Sequence, residues 1–201
     1  METSLKYKTL AAPGTSDFRD RGSKFLAYSY PIKAVEEVKE KVQALKKEHP
    51  KAVHYCLAWR IGTDGSQYRA SDDGEPAGSA GRPILGQIDS LGLTNVLVVV
   101  VRYFGGTLLG VPGLIHAYKT AATVALEGLP TIEKWVEAPM EVTFDYASMG
   151  EVLYLLKQYE ATIHKQELQL FCSISAGIPK QHLNACLAKL SEIRGVNAKA
   201  V

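Results

Sequence analysis

The first two thirds of the chain alternate between helix-like and strand-like patterns of apolar residues. In residues 34–49, Val35, Val38, Val42 and Leu45 recur every three to four positions with lysines and glutamates between them, which is the period of an amphipathic helix. Short runs of aromatic and β-branched residues indicate strands instead. The pattern therefore predicts strands at 5–10, 24–30, 53–61 and 95–101, and helices at 34–49, from residue 79 or 80 to 92, and at 113–126.

The C-terminal part has a different pattern, in which strands and helices follow a fixed order. The predicted elements are a strand at 140–146, a helix at 148–159, strands at 162–167 and 170–176, a helix at 179–195 and a last strand at 196–201. The order β-α-β-β-α-β is that of the ferredoxin-like unit, which closes its own sheet. We therefore predict an α+β protein with two domains, an N-terminal one at 1–137 and a ferredoxin-like one at 138–201.

Composition and charge exclude several classes of protein. The 201 residues are 46% hydrophobic and 22% charged, as in ordinary globular proteins. The formal net charge of +2 is too small to indicate nucleic-acid binding by itself, although a local basic patch stays open. Cys56, Cys172 and Cys186 lie far apart and outside any CxxC pair, which predicts buried reduced thiols rather than a zinc site or a disulfide framework.

No segment of the sequence predicts export or membrane insertion. The N-terminal residues 1–14 lack the long apolar region of a signal peptide. The longest apolar run, 96–101, is far shorter than the roughly 20 residues that span a bilayer. We expect a cytoplasmic protein that does not associate with membranes.

The first candidate site is an acidic loop formed by Asp72, Asp73 and Glu75. Three carboxylates so close together repel one another unless a cation or a basic side chain lies among them. Three interpretations remain open: a divalent metal held by carboxylate oxygens, an internal ion pair with Arg82 or Arg102, or an acidic lip that meets a partner.

The second candidate is the glycine-rich segment 78–83, which leads into a predicted helix. Free N–H groups at a helix start attract anions, and Arg82 would add a forked donor there. The segment lacks the lysine of a phosphate-binding P-loop, so ordinary turn geometry is the alternative.

The third candidate follows the apolar strand at 95–101, as Arg102, Tyr103, Phe104 and two glycines, Gly105 and Gly106. Aromatic rings beside an arginine suit stacking on a base or docking of a peptide. The alternative is that Tyr103 and Phe104 pack in the core and Arg102 neutralises the acidic loop. No nucleophile elbow, metalloprotease motif or cysteine–histidine signature accompanies these residues, so we assign no catalytic residue.

Long motifs in this region give the chain a specific resemblance. The strings SDDGEPAGSAGRPIL, NVLVVVVRYFGGTLLG and GLIHAY, with KFLAYSYPIKAVEEV and AVHYCLAWRIG before them, closely resemble the signature of the IMPACT/YigZ family. The resemblance implies a first domain with a left-handed β-α-β fold like that of a small ribosomal-subunit protein and domain four of elongation factor G. It implies a ferredoxin-like second domain like the fifth domain of that factor.

The resemblance also implies a setting for the function. Eukaryotic relatives regulate translation during amino-acid starvation by binding the activator of a stress kinase, and they bind actin. Matched position by position, the family motif covers the acidic loop, the glycines, Arg82, Arg102, Tyr103 and Tyr118. The chain departs from the family pattern at Val111-Pro112, where small residues are usual, and at His116, where arginine is usual.

Two hypotheses about function follow. The first is a non-enzymatic binding protein of translation or stress regulation, without a cofactor, whose partner is the ribosome, RNA or a translation-related protein. Arg60, Arg82, Arg102 and Lys119 would supply its positive contacts. The second is an enzyme acting on a small anionic substrate through a carboxylate-held metal. The candidate binding residues are Asp72, Asp73, Glu75, Ser79, Arg82, Arg102, Tyr103, Gly105, Gly106, His116, Tyr118 and Lys119.

Overall fold

The structure is a computed structural model, which describes residues 5–169 and 171–201. Tyr7–Lys134 forms one compact unit, and Leu5 and Lys6 join Trp135–Val201 in a second. The domain boundary at 137/138 stays a prediction. Elements of the first part of the chain are β1 (Lys6–Leu10), β2 (Gly14–Asp20), β3 (Ser23–Pro31), α1 (Val35–Glu48), β4 (His54–Ile61), β5 (Gln67–Ser71), α2 (Gly81–Ser90), β6 (Val96–Tyr103), α3 (Gly110–Glu127) and β7 (Thr131–Trp135).

The main sheet of the first unit is built around β6. In the part of the chain that the structure describes, its five strands lie in the order β2-β3-β6-β4-β5, and every neighbouring pair is antiparallel. A separate two-stranded sheet pairs β1 with β7. Both faces of β6 are covered by packed side chains, as the uninterrupted apolar run Val96–Val101 predicted.

Side chains of β6 alternate between two apolar cores. Val98 and Val100 pack with residues of α2 and α3 on one face of the sheet. Leu97, Val99 and Val101 join Val38 and Leu45 of α1 on the other. Successive residues of a strand point to opposite faces, so each residue after Val101 belongs to a definite side. This alternation positions the candidate site.

Two strands of this sheet were not predicted. β2 and β5 are polar, with the sequences GTSDFRD and QYRAS, and both lie at the edges of the sheet. Edge strands face water on much of their surface and therefore lack an apolar pattern. The remaining predicted elements of this unit are present with ends shifted by a few residues, since helix and strand ends carry the weakest sequence signal.

The second unit contains β8 (Glu137–Asp145), α4 (Met149–Gln158), β9 (Thr162–Leu168), β10 (Phe171–Pro179), α5 (Leu183–Ser191) and β11 (Asn197–Ala200). The first residue of the strand predicted at 170–176 lies outside the described residues. The sheet order is β11-β8-β10-β9. Both helices pack their apolar faces into one core with this antiparallel sheet. The α+β class and the β-α-β-β-α-β order are confirmed.

None of the helices in the described ranges combines the length and the apolar character that a transmembrane segment needs.

Candidate functional site

The acidic loop begins with a side chain that caps a helix. Asp72 Oδ2 accepts the N–H of Gly78 at 2.8 Å, and Oδ1 accepts those of Ala80 at 3.0 Å and Gly81 at 2.8 Å. Burial by itself would raise the pKa of Asp72, but these hydrogen bonds and the charge of Arg82 outweigh it and lower that pKa. The N-terminus of α2 is thus filled by the chain's own carboxylate, with which an external anion would have to compete.

Asp73 holds the loop against the start of β4. Its Oδ2 accepts the N–H of Tyr55 at 2.7 Å, and its carbonyl oxygen lies 2.8 Å from Nδ1 of His54. Both contacts depend on a left-handed turn, with φ of 44° at Asp73 and 89° at Gly74. Positive φ is costly for a residue with a Cβ, so the turn is maintained by the contacts around it.

Glu75 is the buried acid of the three. Its Oε1 accepts a hydrogen bond from Arg102 Nη1 at 2.6 Å and another from the Tyr118 hydroxyl at 2.7 Å. The side chains of Glu75 and Arg102 are only 4% and 6% exposed. Burial raises the pKa of Tyr118, so its hydroxyl stays a donor to the carboxylate. The internal ion pair with Arg102 was one of the three interpretations of the acidic loop.

The strand register explains how Arg102 reaches this position. Arg102 lies directly across from Phe25 of β3 and from His54 of β4. Its guanidinium carbon lies 5.5 Å from the centre of the Phe25 ring and 5.7 Å from that of Phe104, within range of cation–π attraction. Nη2 lies 3.4 Å from the hydroxyl of Ser23, and the buried Nε has no hydrogen-bond partner in the described residues.

A cleft of about 410 Å³ opens above this ion pair. Its polar base consists of His54, Glu75 and Arg102. The walls come from the residue before β4, the acidic loop, the loop after β6 and the first turns of α3. They consist of Val53, Pro76, Phe104, Leu108, Leu109, Gly110, Val111 and Leu114. An apolar cleft with a few convergent polar groups is typical of a binding site.

Tyr103 lies on the opposite side of the sheet from Arg102, because the two residues are adjacent in β6. Its hydroxyl lies 3.0 Å from Nδ1 of His49, whose Nε2 lies 2.6 Å from the hydroxyl of Tyr28. The position of Tyr103 therefore does not support its predicted role of stacking on a ligand beside Arg102. Phe104, for which core packing was the alternative interpretation, is instead 48% exposed at the rim of the cleft.

The glycines and Ser79 shape the backbone around the site. Gly105 packs so closely on Gly22, in the turn between β2 and β3, that a Cβ would overlap the Gly22 backbone, and its N–H donates to Ser23 Oγ at 3.2 Å. Gly106 has a φ of 85°, a left-handed conformation. Ser79 is fully buried, and its hydroxyl donates to the carbonyl of Pro76 at 2.6 Å. These residues support the loops and do not line the cleft.

The remaining predicted residues lie outside the cleft. Arg82, His116 and Lys119 are exposed, and His116 packs its ring edge-on against Phe18. Arg60 pairs with Asp89 at 2.8 Å. The structure thus brings together Asp72, Asp73, Glu75, Arg102 and Tyr118, whereas Tyr103, His116 and Lys119 lie apart from them.

Sequence reasoning missed the contribution of His54 and the apolar rim. His54 carries no motif, and only its place opposite Arg102 in the sheet reveals it. Leu108 lies in a loop and Val111 in the first turn of α3, and neither belongs to an apolar pattern in the sequence. Only the structure shows that both line the same cleft. Among the described residues, no group of three or more histidines, cysteines and acids is arranged to hold a metal ion.

Comparison with known proteins shows which family the chain belongs to. Residues 21–126 match the Impact N-terminal domain. "IMPACT family member YigZ" of Escherichia coli (strain K12) is 35% identical over 184 residues, which cover 90% of this chain and 90% of that protein. The chain belongs to the IMPACT family. The recognition drawn from the motifs is confirmed.

Two further matches show how much of this chain is similar to other proteins. A solved structure described as that of a hypothetical protein covers 98% of each chain at 33% identity, with a TM-score of 0.77. "Protein IMPACT homolog" of Saccharomyces cerevisiae is 40% identical over 107 residues, which are 51% of this chain and 41% of that protein. The bacterial match spans both units, whereas the yeast match covers about half of this chain.

Proposed function

We propose that this IMPACT-family chain is a non-enzymatic binding protein of translation regulation, which engages a protein of the translation machinery through the cleft above Glu75 and Arg102. Membership of the family supports a role in translation regulation, because the resemblance implies that role for its eukaryotic members. The cleft supports the mode of action, since its mostly apolar walls around a few polar groups offer a binding surface.

The observation that carries the proposal is the apolar rim. Leu108 is 83% exposed and Phe104 48% exposed, and both stand at the mouth of a cleft whose base is a buried ion pair. Contiguous exposed apolar side chains around a concave surface mark places where another molecule binds. Energetically important contacts in protein interfaces gather in such desolvated pockets.

A protein partner fits this surface better than RNA. Of the four cations assigned to RNA contacts, Arg102 is neutralised by Glu75 and Arg60 by Asp89. Arg82 and Lys119 are exposed but lie outside the cleft. RNA affinity depends on neutralising several phosphates, which this surface does not provide.

The alternative, a metal-dependent enzyme, has less support. Each acid of the loop already accepts hydrogen bonds from the chain: Asp72 from the α2 backbone, Asp73 from Tyr55, and Glu75 from Arg102 and Tyr118. A metal would have to displace these donors. Cys56, the one thiol next to Tyr118, has its pKa raised by burial and is a poor nucleophile.

The test is sedimentation of the tagged protein with ribosomal fractions from cell extract. We expect wild type to sediment with ribosomes, Leu108→Asp to remain in the soluble fraction, and Val124→Asp to behave as wild type. Val124 is a suitable control because it is 49% exposed on α3 and does not line the cleft. Equal sedimentation of the two variants, or none for wild type, would contradict the proposal.

A salt series separates the protein partner from RNA. Contact with a protein through an apolar cleft should change little between low and physiological salt. Binding to RNA should weaken steeply, because it releases counterions from phosphates. Steep loss of wild-type binding with salt, together with sensitivity to nuclease, would favour the RNA version.

A further inference from the structure

The hydrogen-bond partner of His54 defines which ring nitrogen carries its hydrogen. Nδ1 lies 2.8 Å from the carbonyl oxygen of Asp73. A carbonyl oxygen only accepts hydrogen bonds, so Nδ1 must be the donor. In the neutral ring the other nitrogen, Nε2, is then an acceptor with a free lone pair.

Nε2 is an open acceptor at the base of the cleft. It lies 3.8 Å from Oε1 of Glu75, too far for a hydrogen bond, and Oε1 already accepts from Arg102 and Tyr118. Within residues 5–169 and 171–201, no side chain or backbone group donates to Nε2. The side chain of His54 is 24% exposed and lines the cleft, so a donor from outside can reach it.

The charges around the cleft favour a neutral ligand. Arg102 and Glu75 compensate each other at 2.6 Å, and the other described residues that line the cleft carry no formal charge when His54 is neutral. An ionic ligand would lose its hydration without gaining a free counter-charge. The walls are aliphatic and aromatic, which suits a large apolar body.

We infer that the cleft receives the side chain of a tryptophan from the protein partner, with the indole N–H donating to His54 Nε2. This inference rests on the proposed function and specifies the contact. Indole combines a large apolar surface with one neutral donor, which matches the apolar walls of the cleft and the open acceptor Nε2 of His54. Tryptophan is also enriched among the residues that dominate protein interfaces.

The first experiment compares indole with 1-methylindole by NMR titration of the isotope-labelled full chain. The two probes share the apolar body, but only indole has the N–H donor. We expect indole to shift signals of cleft residues and to bind about five- to tenfold more tightly than 1-methylindole, as one hydrogen bond in a protected site would give. Equal affinities, or indole shifts elsewhere on the chain, would overturn the inference.

Two variants locate the donor contact. His54→Phe keeps a ring but removes the acceptor, so it should reduce the preference for indole to near unity. His164→Phe, a control at a histidine that is 46% exposed in the second unit, should retain the full preference. Leu108→Asp should weaken both probes equally, and because that side chain is largely exposed it tests the cleft even if His54→Phe unfolds. Unchanged indole preference in His54→Phe would refute the assignment.

A third probe, N-acetyl-L-tryptophanamide, distinguishes a partner's side chain from a free small molecule. It should bind at least as tightly as indole and shift the same signals; its failure to bind would overturn the assignment to a protein side chain. Loss of ribosome sedimentation in Leu108→Asp with equal binding of indole and 1-methylindole would retain the proposed function and refute the tryptophan. Selective indole binding by wild type, with ribosome sedimentation unchanged in Leu108→Asp, would retain the indole site and refute the proposed function.

Discussion

The guanidinium of Arg102 donates from Nη1 to Oε1 of Glu75 at 2.6 Å, and both side chains are almost completely buried. This contact joins the acidic loop to the end of the central strand. The Tyr118 hydroxyl adds a second donor to the same oxygen, so α3 is joined as well. One carboxylate thus connects three segments of the first unit.

Arg102→Met should destabilise the protein strongly. The substitution leaves the carboxylate of Glu75 buried without its counter-charge, which typically costs about 3–5 kcal/mol. The free energy of unfolding in urea measures this loss. Arg82→Met should change it by less than about 0.5 kcal/mol, since Arg82 is exposed.

The double variant Glu75→Gln with Arg102→Met tests whether the unpaired carboxylate of Glu75 causes the loss of stability. It should recover part of the loss, because no unpaired charge remains in the site. A double variant as unstable as the sum of the two single ones would show that the pair is not coupled.

Asp72→Asn should reduce stability at neutral pH and matter less in acid. The pKa of Asp72 lies below its ordinary value of 3.8, so the charged form stabilises the fold above about pH 3.8, and this contribution is lost as pH falls through the folded value. The amide retains one acceptor oxygen where the carboxylate uses two. We expect a loss of about 1 kcal/mol at pH 7, a modest value because the group is partly exposed.

Unfolding in urea at pH 7 and near pH 3 measures this difference for Asp72→Asn. Asp17→Asn is the control, since Asp17 forms only surface ion pairs with Arg19 and Lys24. A deficit of Asp72→Asn that persists unchanged at the lower pH would argue against the cap as its source.

Gly105→Ala should unfold or severely destabilise the first unit. Its Cβ would overlap the backbone of Gly22 and Ser23, neither of which can move like a flexible side-chain end. Gly86→Ala is the matched control, since no atom lies within 4 Å of its Cβ position in helix α2. That change should be neutral or stabilise by up to about 1 kcal/mol. The melting temperatures of both variants test this prediction. A near-wild-type value for Gly105→Ala would show that the turn at Gly22 can shift to make room for the added Cβ.

The thiols should be unreactive in the folded protein. Cys56, Cys172 and Cys186 are buried, and burial raises the pKa of Cys186 to about 11 and that of Cys56 further. The thiolate is the reactive species, so a disulfide reagent at pH 8 should label native protein slowly. All three cysteines should react promptly after denaturation. Rapid labelling of one native thiol would indicate local opening of its core.

The sequence specified the elements whose apolar pattern is complete. The central strand β6, the amphipathic α1 and the alternation of the second unit all carry a strong period, and they were predicted. Edge strands β2 and β5 were missed because they expose one side to solvent and have few apolar residues to reveal a period. Pairing between distant segments, rather than local preference, makes them strands.

The sequence named candidate site residues but could not show how they are arranged. The acids were expected to be coupled with Arg82 or Arg102. The structure pairs Arg102 with Glu75, and the charge of Arg82 acts on Asp72. Tyr103 is adjacent to Arg102 in sequence, yet the strand period sends it to the other face. His54 and Leu108 come from separate segments, so only the register and the loop path place them together.

The position of β6 also affects how the protein is made. It separates β3 from β4 in the sheet, although it follows both of them in the chain. A nascent chain therefore leaves the ribosome with two strands that must wait for their shared neighbour, and their apolar faces stay exposed until residues 96–103 emerge. We therefore expect a pause of synthesis within that interval to favour aggregation, because the partly synthesised chain exposes the apolar faces of both strands for longer.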